Sequence, residues 1–426
     1  MAATSTQAEV QVSLKLVLNE KGNKVLFAEA GKDFVDILCS FLTIPLGTVA
    51  RLVEKESSIG PVTVGCLNSL YQSVVDLDEG CLSTDTIKQV LLEPSNSAED
   101  YCNTLKLNID DTPPTKYFAC QGFVESFVTF VITDDLTVVP NGIDFTSFSM
   151  LQEFGIQCPS SVKEIALNVT KEKVLDLLKC YLLPKSTLTD WFLGKKPSLG
   201  CSRFFLPYVE IRNKIQMTLK LVIRKSDGKV LYAQGEQDFA NLLLSFLTFP
   251  LGGIARIFQG NCSIESINEL YKCISLNEDK YSISCEAKYK LIKSVELSKQ
   301  ILPIHGTGFF ECYKECESYI KFFKRDESNS GRFRKFLNPN IVNPYKSYVK
   351  GPGMYVATDD LVVSPLSPVS ALSLLARLKT PLNDLKEKVV VIGFKECLSI
   401  LNAALTSTSA LTNGLAHMFT EEKEDK

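Results

Sequence analysis

Histidine is the scarcest reactive side chain in this sequence, and its scarcity limits the chemistry that the chain can perform. Only His305 and His417 occur among 426 residues, so a histidine-assisted nucleophile would have to use one of these two. The motifs G-x-S-x-G, Walker A and G-x-G-x-x-G are absent as well. A nucleophile-type hydrolase, a nucleotide-phosphate site and a dinucleotide enzyme are therefore disfavoured.

Long apolar runs are also missing from the sequence. No segment offers about 18 uninterrupted apolar residues, the length that a membrane-spanning helix needs. The first residues, MAATSTQAEVQVSLKL, lack a basic stretch followed by an apolar one, so we expect neither a membrane span nor a secretory leader. The length and a hydrophobic fraction of 45% suit two to three globular domains.

Cysteine, in contrast, is plentiful. The 14 cysteines mostly lie within apolar stretches, as do Cys39, Cys180 and Cys397. Since they make up only about 3% of a long chain, they do not have the density of a disulfide scaffold. We interpret them as reduced core residues of a cytoplasmic or nuclear protein.

The chain is a tandem duplication. From Leu14 to Arg51 each residue aligns with the residue 205 positions later without a gap, and 20 of these 38 pairs are identical. Further on, LNSLY at Leu67 matches INELY at Ile267 with an offset of 200. The change of offset predicts an insertion or deletion near residues 57–61, and the self-similarity identifies two large repeats.

The stretch that the two copies share most closely predicts an amphipathic helix followed by a break. The apolar residues with helical spacing are Phe34, Ile37, Leu38, Phe41 and Leu42 in the first copy and Phe239, Leu242, Leu243, Phe246 and Leu247 in the second. Asp33 is the predicted N-cap of the first helix. Pro45 and Pro250 predict an interruption before a second, short helix.

Four short β-like runs each precede a helical pattern, which predicts two strand-then-helix units in each repeat. The runs cover residues 24–28, 164–169, 229–233 and 389–392. A further strand is expected at 123–133, and the polar residues 78–116 are expected to be rich in loops. The predicted fold class is α+β, with two tandem homologous domains whose short strands and amphipathic helices pack on a small mixed sheet.

The offsets also give the expected domain boundaries. The first repeat should span residues 12–194 and the second residues 216–415, joined by a linker at 195–215. A charged tail follows at 416–426.

These linked motifs carry a family resemblance. The run KVLFAEAGKDFVDILCSFLTIPLGTVARL, then LNSLYQSV and TDDLTVVP, recur in a second copy and resemble the plant family catalogued as a domain of unknown function, number 674. The resemblance covers about residues 11 to 415. It implies a plant protein and carries over no catalytic residue.

The motif Thr-Asp-Asp-Leu ends the predicted strand in both copies and is a candidate carboxylate site. Its acids are Asp134 and Asp135 in the first copy and Asp359 and Asp360 in the second. Paired carboxylates can bind Mg²⁺ or share a proton. Turn formation and capping account for the same residues, because adjacent residues of a strand point to opposite faces.

A second candidate is a zinc site at His305, Cys312 and Cys316. These are three ligands, whereas structural zinc sites usually have four. We therefore interpret the cysteines as ordinary thiols and predict no metal and no cofactor.

The third candidate is a basic insertion in the second repeat at residues 321–352. Residues 321–350 contain eight basic and two acidic residues with interleaved aromatics. The binding candidates are Arg332, Phe333, Arg334, Lys335, Phe336, Tyr345 and Tyr348. Such a composition suits a polyanion, because cations neutralise phosphates and aromatic rings stack on bases. A solvated loop has the same composition.

These observations favour a non-enzymatic binding or interaction module. Its partner, a protein or a polyanion, would contact the basic insertion. The alternative is an enzyme that uses carboxylates or thiols in a cleft between the repeats. A closed cavity with convergent polar groups would favour the enzyme.

Overall fold

The computed structural model describes most of both repeats. The residues described are 10–19, 24–96, 98–112, 122–124, 129–141, 152, 156, 162–183, 186–196, 216–276, 283, 285–293, 347–377 and 379–420.

Each repeat forms one five-stranded sheet, and every described strand pair is antiparallel where a small mixed sheet was expected. The first sheet has the order β4-β3-β2-β1-β5 and the second β10-β6-β7-β8-β9. The strands are β1 Val12–Asn19, β2 Lys24–Ala30, β3 Phe130–Thr133, β4 Val138–Pro140, β5 Val162–Val169, β6 Met217–Arg224, β7 Val230–Glu236, β8 Met354–Thr358, β9 Val363–Pro365 and β10 Leu385–Ile392.

Most helices pack on the inner face of the two sheets, and several have a counterpart in the other repeat. In the first repeat they are α1 Lys32–Phe41, α2 Leu46–Val53, α3 Leu67–Asp76, α4 Ile87–Leu92, α5 Glu99–Cys102, α6 Lys171–Tyr181 and α7 Thr187–Phe192. In the second they are α8 Gln237–Ser245, α9 Leu251–Ile257, α10 Glu265–Leu276, α11 Cys285–Lys293, α12 Pro368–Arg377, α13 Phe394–Thr406, α14 Ala410–Gly414 and α15 His417–Thr420. The four predicted strand-then-helix units are present as β2-α1, β5-α6, β7-α8 and β10-α13.

The predicted α1 is confirmed, but its cap is not. The residue at the N-cap is Gly31, and Asp33 lies in the first turn, where its carboxylate contacts Lys106 at 2.5 Å. A carboxylate in the first turn still interacts favourably with the helix dipole. As expected, Pro45 interrupts the helical run and becomes the N-cap of α2.

Two other expectations need correction. Of the strand predicted at 123–133, the described part is Phe130–Thr133. The N–H groups of Phe123 and Val124 donate to Asp36 and do not join a ladder, and residues 125–128 lie outside the described residues. The segment 78–112 is not only loop but contains α4 and α5. Helix α4 forms because Ile87 and Leu91, four residues apart, are both fully buried.

The two repeats meet at the proline breaks, related by an approximate two-fold axis. Pro45 and Pro250 form an antiparallel bridge. Leu46 N–H donates to Phe249 C=O at 2.9 Å, and the equivalent Leu251 N–H donates to Ile44 C=O at 3.1 Å. Each repeat thus satisfies the unpaired helix-start groups of the other.

One hydrophobic cluster runs through both repeats, so they share a core. Within this core, two equivalent glycines each allow a close approach of two helices. A Cβ on Gly47 would lie 2.7 Å from the carbonyl oxygen of Leu91, and a Cβ on Gly252 would lie 2.2 Å from that of Leu291. Any larger residue at either position would push two helices apart.

We expect Phe41→Asp and Phe246→Asp each to destabilise the protein by roughly 3 kcal/mol or more, because each buries an unpaired carboxylate. Both rings are at most 1% exposed. The measurement is soluble yield and thermal midpoint. Val75→Asp, at a position that is 38% exposed, is the matched control. A wild-type midpoint for either phenylalanine variant would disprove the helical register.

Candidate functional site

The first aspartate of each Thr-Asp-Asp-Leu motif anchors the short helix that follows the long one. Asp134 accepts hydrogen bonds from Thr189 N–H at 2.8 Å and Thr189 Oγ1 at 3.0 Å. Asp359 accepts the same two bonds from Thr412 at 2.8 and 3.0 Å. Each threonine hydroxyl in turn accepts a strand N–H, from Val25 at 3.0 Å or its counterpart in β7 at 2.9 Å. Both carboxylates therefore join a helix start to a strand.

Electrostatics at these two carboxylates follow from their burial. Burial raises the pKa of Asp134 and of Asp359, while the threonine bonds and a lysine work in the opposite direction. The lysines are Lys24, 3.9 Å from Asp134, and Lys229, 3.5 Å from Asp359. Each buried carboxylate thus accepts two hydrogen bonds from its threonine, while the lysine lies farther away. Such a carboxylate can stabilise the contact between the helix and the strand.

The second aspartate of each motif has different partners. Asp135 accepts from Thr133 Oγ1 and, at 3.2 Å, from Thr137 N–H, and Asp360 accepts from Thr358 Oγ1 at 2.5 Å. The next residue, Leu136 or Leu361, has a left-handed φ of 67° or 64°. Burial of both leucine side chains offsets this backbone strain. The two carboxylates of a motif thus bind different groups.

A further buried polar position was not predicted from the sequence. Asp36 on α1 accepts two successive N–H groups, from Phe123 at 2.8 Å and Val124 at 2.9 Å. Asn241, 205 residues later on α8, accepts those of Tyr348 at 2.8 Å and Val349 at 3.2 Å. A polar residue between apolar neighbours at the same position of both helices was the available signal.

Because Asn241 is equivalent to Asp36, its partner Tyr348 is equivalent to Phe123 and lies inside the scaffold. This candidate binding residue is 3% exposed, and its carbonyl accepts Ser83 N–H from the first repeat at 3.0 Å. The matching of Tyr348 with Phe123 shows that the segment from 347 belongs to the duplicated framework. The other candidates, Arg332, Phe333, Arg334, Lys335, Phe336 and Tyr345, lie outside the described residues.

The thiols of the described residues are reduced and mostly buried. Eight are free, and seven of them are buried. Burial raises the pKa of five to about 12: Cys66, Cys102, Cys180, Cys262 and Cys397. Because the thiolate is the nucleophile and the metal ligand, these thiols are unreactive near neutral pH.

A tyrosine lies in the shared core without a hydrogen-bond partner among the described residues. The Tyr181 hydroxyl is fully buried, and its ring packs on Phe41 with centroids 5.4 Å apart. Burial raises the pKa of Tyr181 well above its ordinary value, and the thiols of Cys262, Cys39 and Cys273 add to the effect. The phenol therefore stays neutral.

A buried lysine closes the longer loop of the first repeat. The Lys179 ammonium donates to Lys55 C=O, Ser57 Oγ and Gly60 C=O at 2.6 to 2.7 Å. Burial lowers the pKa of Lys179. At the equivalent position of α13, Asn402 bonds the N–H and hydroxyl of Ser263 at 3.2 and 2.8 Å, because the loop there is shorter.

No group of three or more potential ligands converges in the described parts of the two repeats. The zinc candidates His305, Cys312 and Cys316 lie outside those parts. Among the described helices, none combines the length and apolar character needed to cross a membrane.

The fold and these paired contacts define a tandem α+β duplication whose copies share one core. A family model described as "Protein of unknown function (DUF674)" matches residues 8–126 and 121–395. The chain belongs to this family. Neither the curated proteins nor the solved structures gave a match.

We expect Asp134→Ala and Asp359→Ala each to cost roughly 1–3 kcal/mol, because each leaves a buried threonine N–H without an acceptor. Asp→Asn should cost less, since it retains one acceptor. The folded pKa lies above the unfolded value of 3.8, so the fold favours the protonated acid. Wild type should therefore gain stability relative to Asp→Asn as pH falls through the folded pKa.

Urea unfolding of the paired variants from pH 3 to 7 measures both effects. A stability of Asp134→Ala equal to wild type would contradict the anchoring role. A rise in the midpoint with Mg²⁺ that Asp135→Asn abolishes would instead support a metal site.

We also expect site-resolved alkylation of the native protein to be slow at the seven buried thiols and faster at Cys81, the half-buried one. After denaturation without oxidant, all 14 thiols should react, and elemental analysis should find well under one zinc per chain. Rapid native modification of Cys102 or Cys180 would contradict the burial argument. Stoichiometric zinc lost on Cys312→Ser would contradict the absence of a metal.

Proposed function

We propose that this protein is a non-enzymatic binding or interaction module. The observation that carries the proposal is that the described carboxylates and thiols with altered pKa values are occupied by the scaffold. Asp134 and Asp359 anchor helices, and Asp36 holds a crossing segment. A catalytic acid, base or nucleophile needs access to substrate, and these three carboxylates are buried and hydrogen-bonded to the scaffold.

The remaining reactive groups support the same view. Lys179 donates to three acceptors, so its ammonium has no donor left for a substrate. Tyr181 and the buried thiols stay neutral because burial raises their pKa values. The contact between the repeats is mainly apolar, and two polar pairs that cross it, Thr187 with Ser266 at 2.8 Å and Lys290 with Asp100 at 3.3 Å, bond to each other. An enzyme with its site between the repeats would need convergent polar groups there.

The proposed contact surface is the basic segment of the second repeat. The described framework supports an insertion in this connection: 57 positions separate Leu291 from Tyr348, whereas 32 separate the equivalent Leu91 from Phe123. Arg332, Arg334 and Lys335 belong to the longer connection and lie outside the described parts. Residues 201–426 also carry a net charge of +6, against −9 for residues 1–200. We propose a polyanion or an acidic protein as partner, in the cytoplasm or nucleus of a plant cell.

We expect the protein to bind heparin or RNA at low salt, with affinity that falls steeply as salt increases, because counterions are released from the polyanion. The triple variant Arg332→Glu, Arg334→Glu, Lys335→Glu should abolish binding in a fluorescence anisotropy titration. The control reverses three exposed lysines among the first 200 residues, Lys15, Lys163 and Lys196, and should bind like wild type.

Equal loss in both triple variants would show that binding depends on total charge and not on this segment. No binding by wild type to either polyanion at low salt would remove the polyanion proposal. Turnover of a polyanion during the titration, seen as a change in its length, would contradict the non-enzymatic assignment.

A further inference from the structure

Exposed apolar side chains in the described chain concentrate on the second repeat. Nine large hydrophobic residues are exposed, and six of them lie between residues 354 and 391. Val389 and Val391, on strand β10, are 64% and 51% exposed, whereas the intervening Val390 is 6% exposed. This alternation places the two exposed valines together on the outer face of the sheet.

Strand β10 is an edge of that sheet. It pairs along all eight residues with β6, from Leu385 opposite Arg224 to Ile392 opposite Met217, and no other described strand pairs with it. Alternate N–H and C=O groups of an edge strand point away from its neighbour. The strand therefore offers hydrogen-bonding groups next to exposed valines.

Helix α12 covers only one part of the outer face. Leu374 of α12 packs against Val222, Tyr232 and Val356, with Leu385 at the margin of the same cluster. Val389 and Val391 lie farther along β10 on the same face and outside this cluster. Among the described residues, the part of the outer face that α12 leaves uncovered is the part that carries the exposed valines.

The first repeat provides an internal comparison. Strand β5 occupies the same edge position and pairs with β1 along eight residues. At the positions of Val389 and Val391, it has Ala166 and Asn168. Both edge strands carry a Lys-Glu pair near their start, as is usual for a free edge, and only β10 continues with exposed valines. The two edge strands thus have the same backbone pairing, but only β10 has large apolar side chains exposed at these two positions.

We propose that β10 is a docking edge for a second copy of this chain, which pairs antiparallel with the same strand across a two-fold axis. The two five-stranded sheets then form one sheet of ten strands with both outer faces on one side. Strand addition satisfies the outward backbone groups, and burial of the valines supplies apolar contact.

The charges of the strand select the register. An axis perpendicular to the sheet places one residue opposite itself. Axes at Glu387 or Lys388 would set like charges against each other, which is destabilising. An axis at Val389 would set Glu387 opposite Val391 of the second copy. An axis at Val390 sets Val389 of each copy opposite Val391 of the other and Glu387 opposite Gly393, so this register brings the exposed valines together and opposes no like charges directly.

One pair of strands is smaller than a standard interface, so the dimer should be weak and depend on concentration. Light scattering over a dilution series should show wild type moving from the 47.3 kDa chain toward twice that mass. The double variant Val389→Lys, Val391→Lys should raise the dimer dissociation constant at least about tenfold. The control, Ala166→Lys with Asn168→Lys, makes the same change on the exposed edge β5 and should dimerise like wild type.

Hydrogen exchange of the wild type gives a second test that does not depend on the folding of a variant. Amides of β10 should become more protected as concentration rises, whereas those of β5 should not change. A single-chain mass at all concentrations would overturn the proposal, including the case in which another segment of the same chain covers β10. Equal weakening by both double variants would overturn it as well.

Discussion

The reciprocal backbone hydrogen bonds between residues 44–46 and 249–251 are the constraint on which the rest of the structure depends. A proline in a helical run leaves backbone groups without partners. In each repeat the interruption exposes a carbonyl and an N–H, and the other repeat supplies the complement. The shared core then forms around this contact, since α1 and α8 must present their apolar faces to both halves.

Polar groups inside this core hold the same backbone contacts together in both repeats. Asp36 and Asn241 do the same work with different charge, which shows that the position needs an acceptor and not an ionisable group. Asp134 and Asp359 keep the carboxylate because each accepts two donors from one threonine. Variation between the copies therefore separates what the framework requires from what each half can change, and the outer surfaces of the second repeat differ most.

The sequence predicted the elements whose cause is local. The apolar spacing of α1 and the break at Pro45 depend on neighbouring residues, and both were found as expected. The role of Asp134 depends on Thr189, 55 residues later, and no local sequence pattern predicts such a partner. Tyr348 was assigned to the basic segment by composition, whereas its burial depends on Asn241. Phe123 and Val124 were placed in the predicted strand for the same reason, whereas their N–H groups donate to Asp36.

Lys179 and Asn402 occupy equivalent positions but bind loops of different length, and this difference has a consequence for the evolution of the gene. Each side chain matches the length of a loop about 120 to 140 positions earlier in the chain. Gene conversion between the halves copies short tracts of sequence. A tract that carried Lys179 or Asn402 alone would separate that residue from the loop that it binds. A lysine beside the short loop would be a buried ammonium without its three acceptors, which is costly. An exchange that moved either side chain without its loop would therefore destabilise the protein.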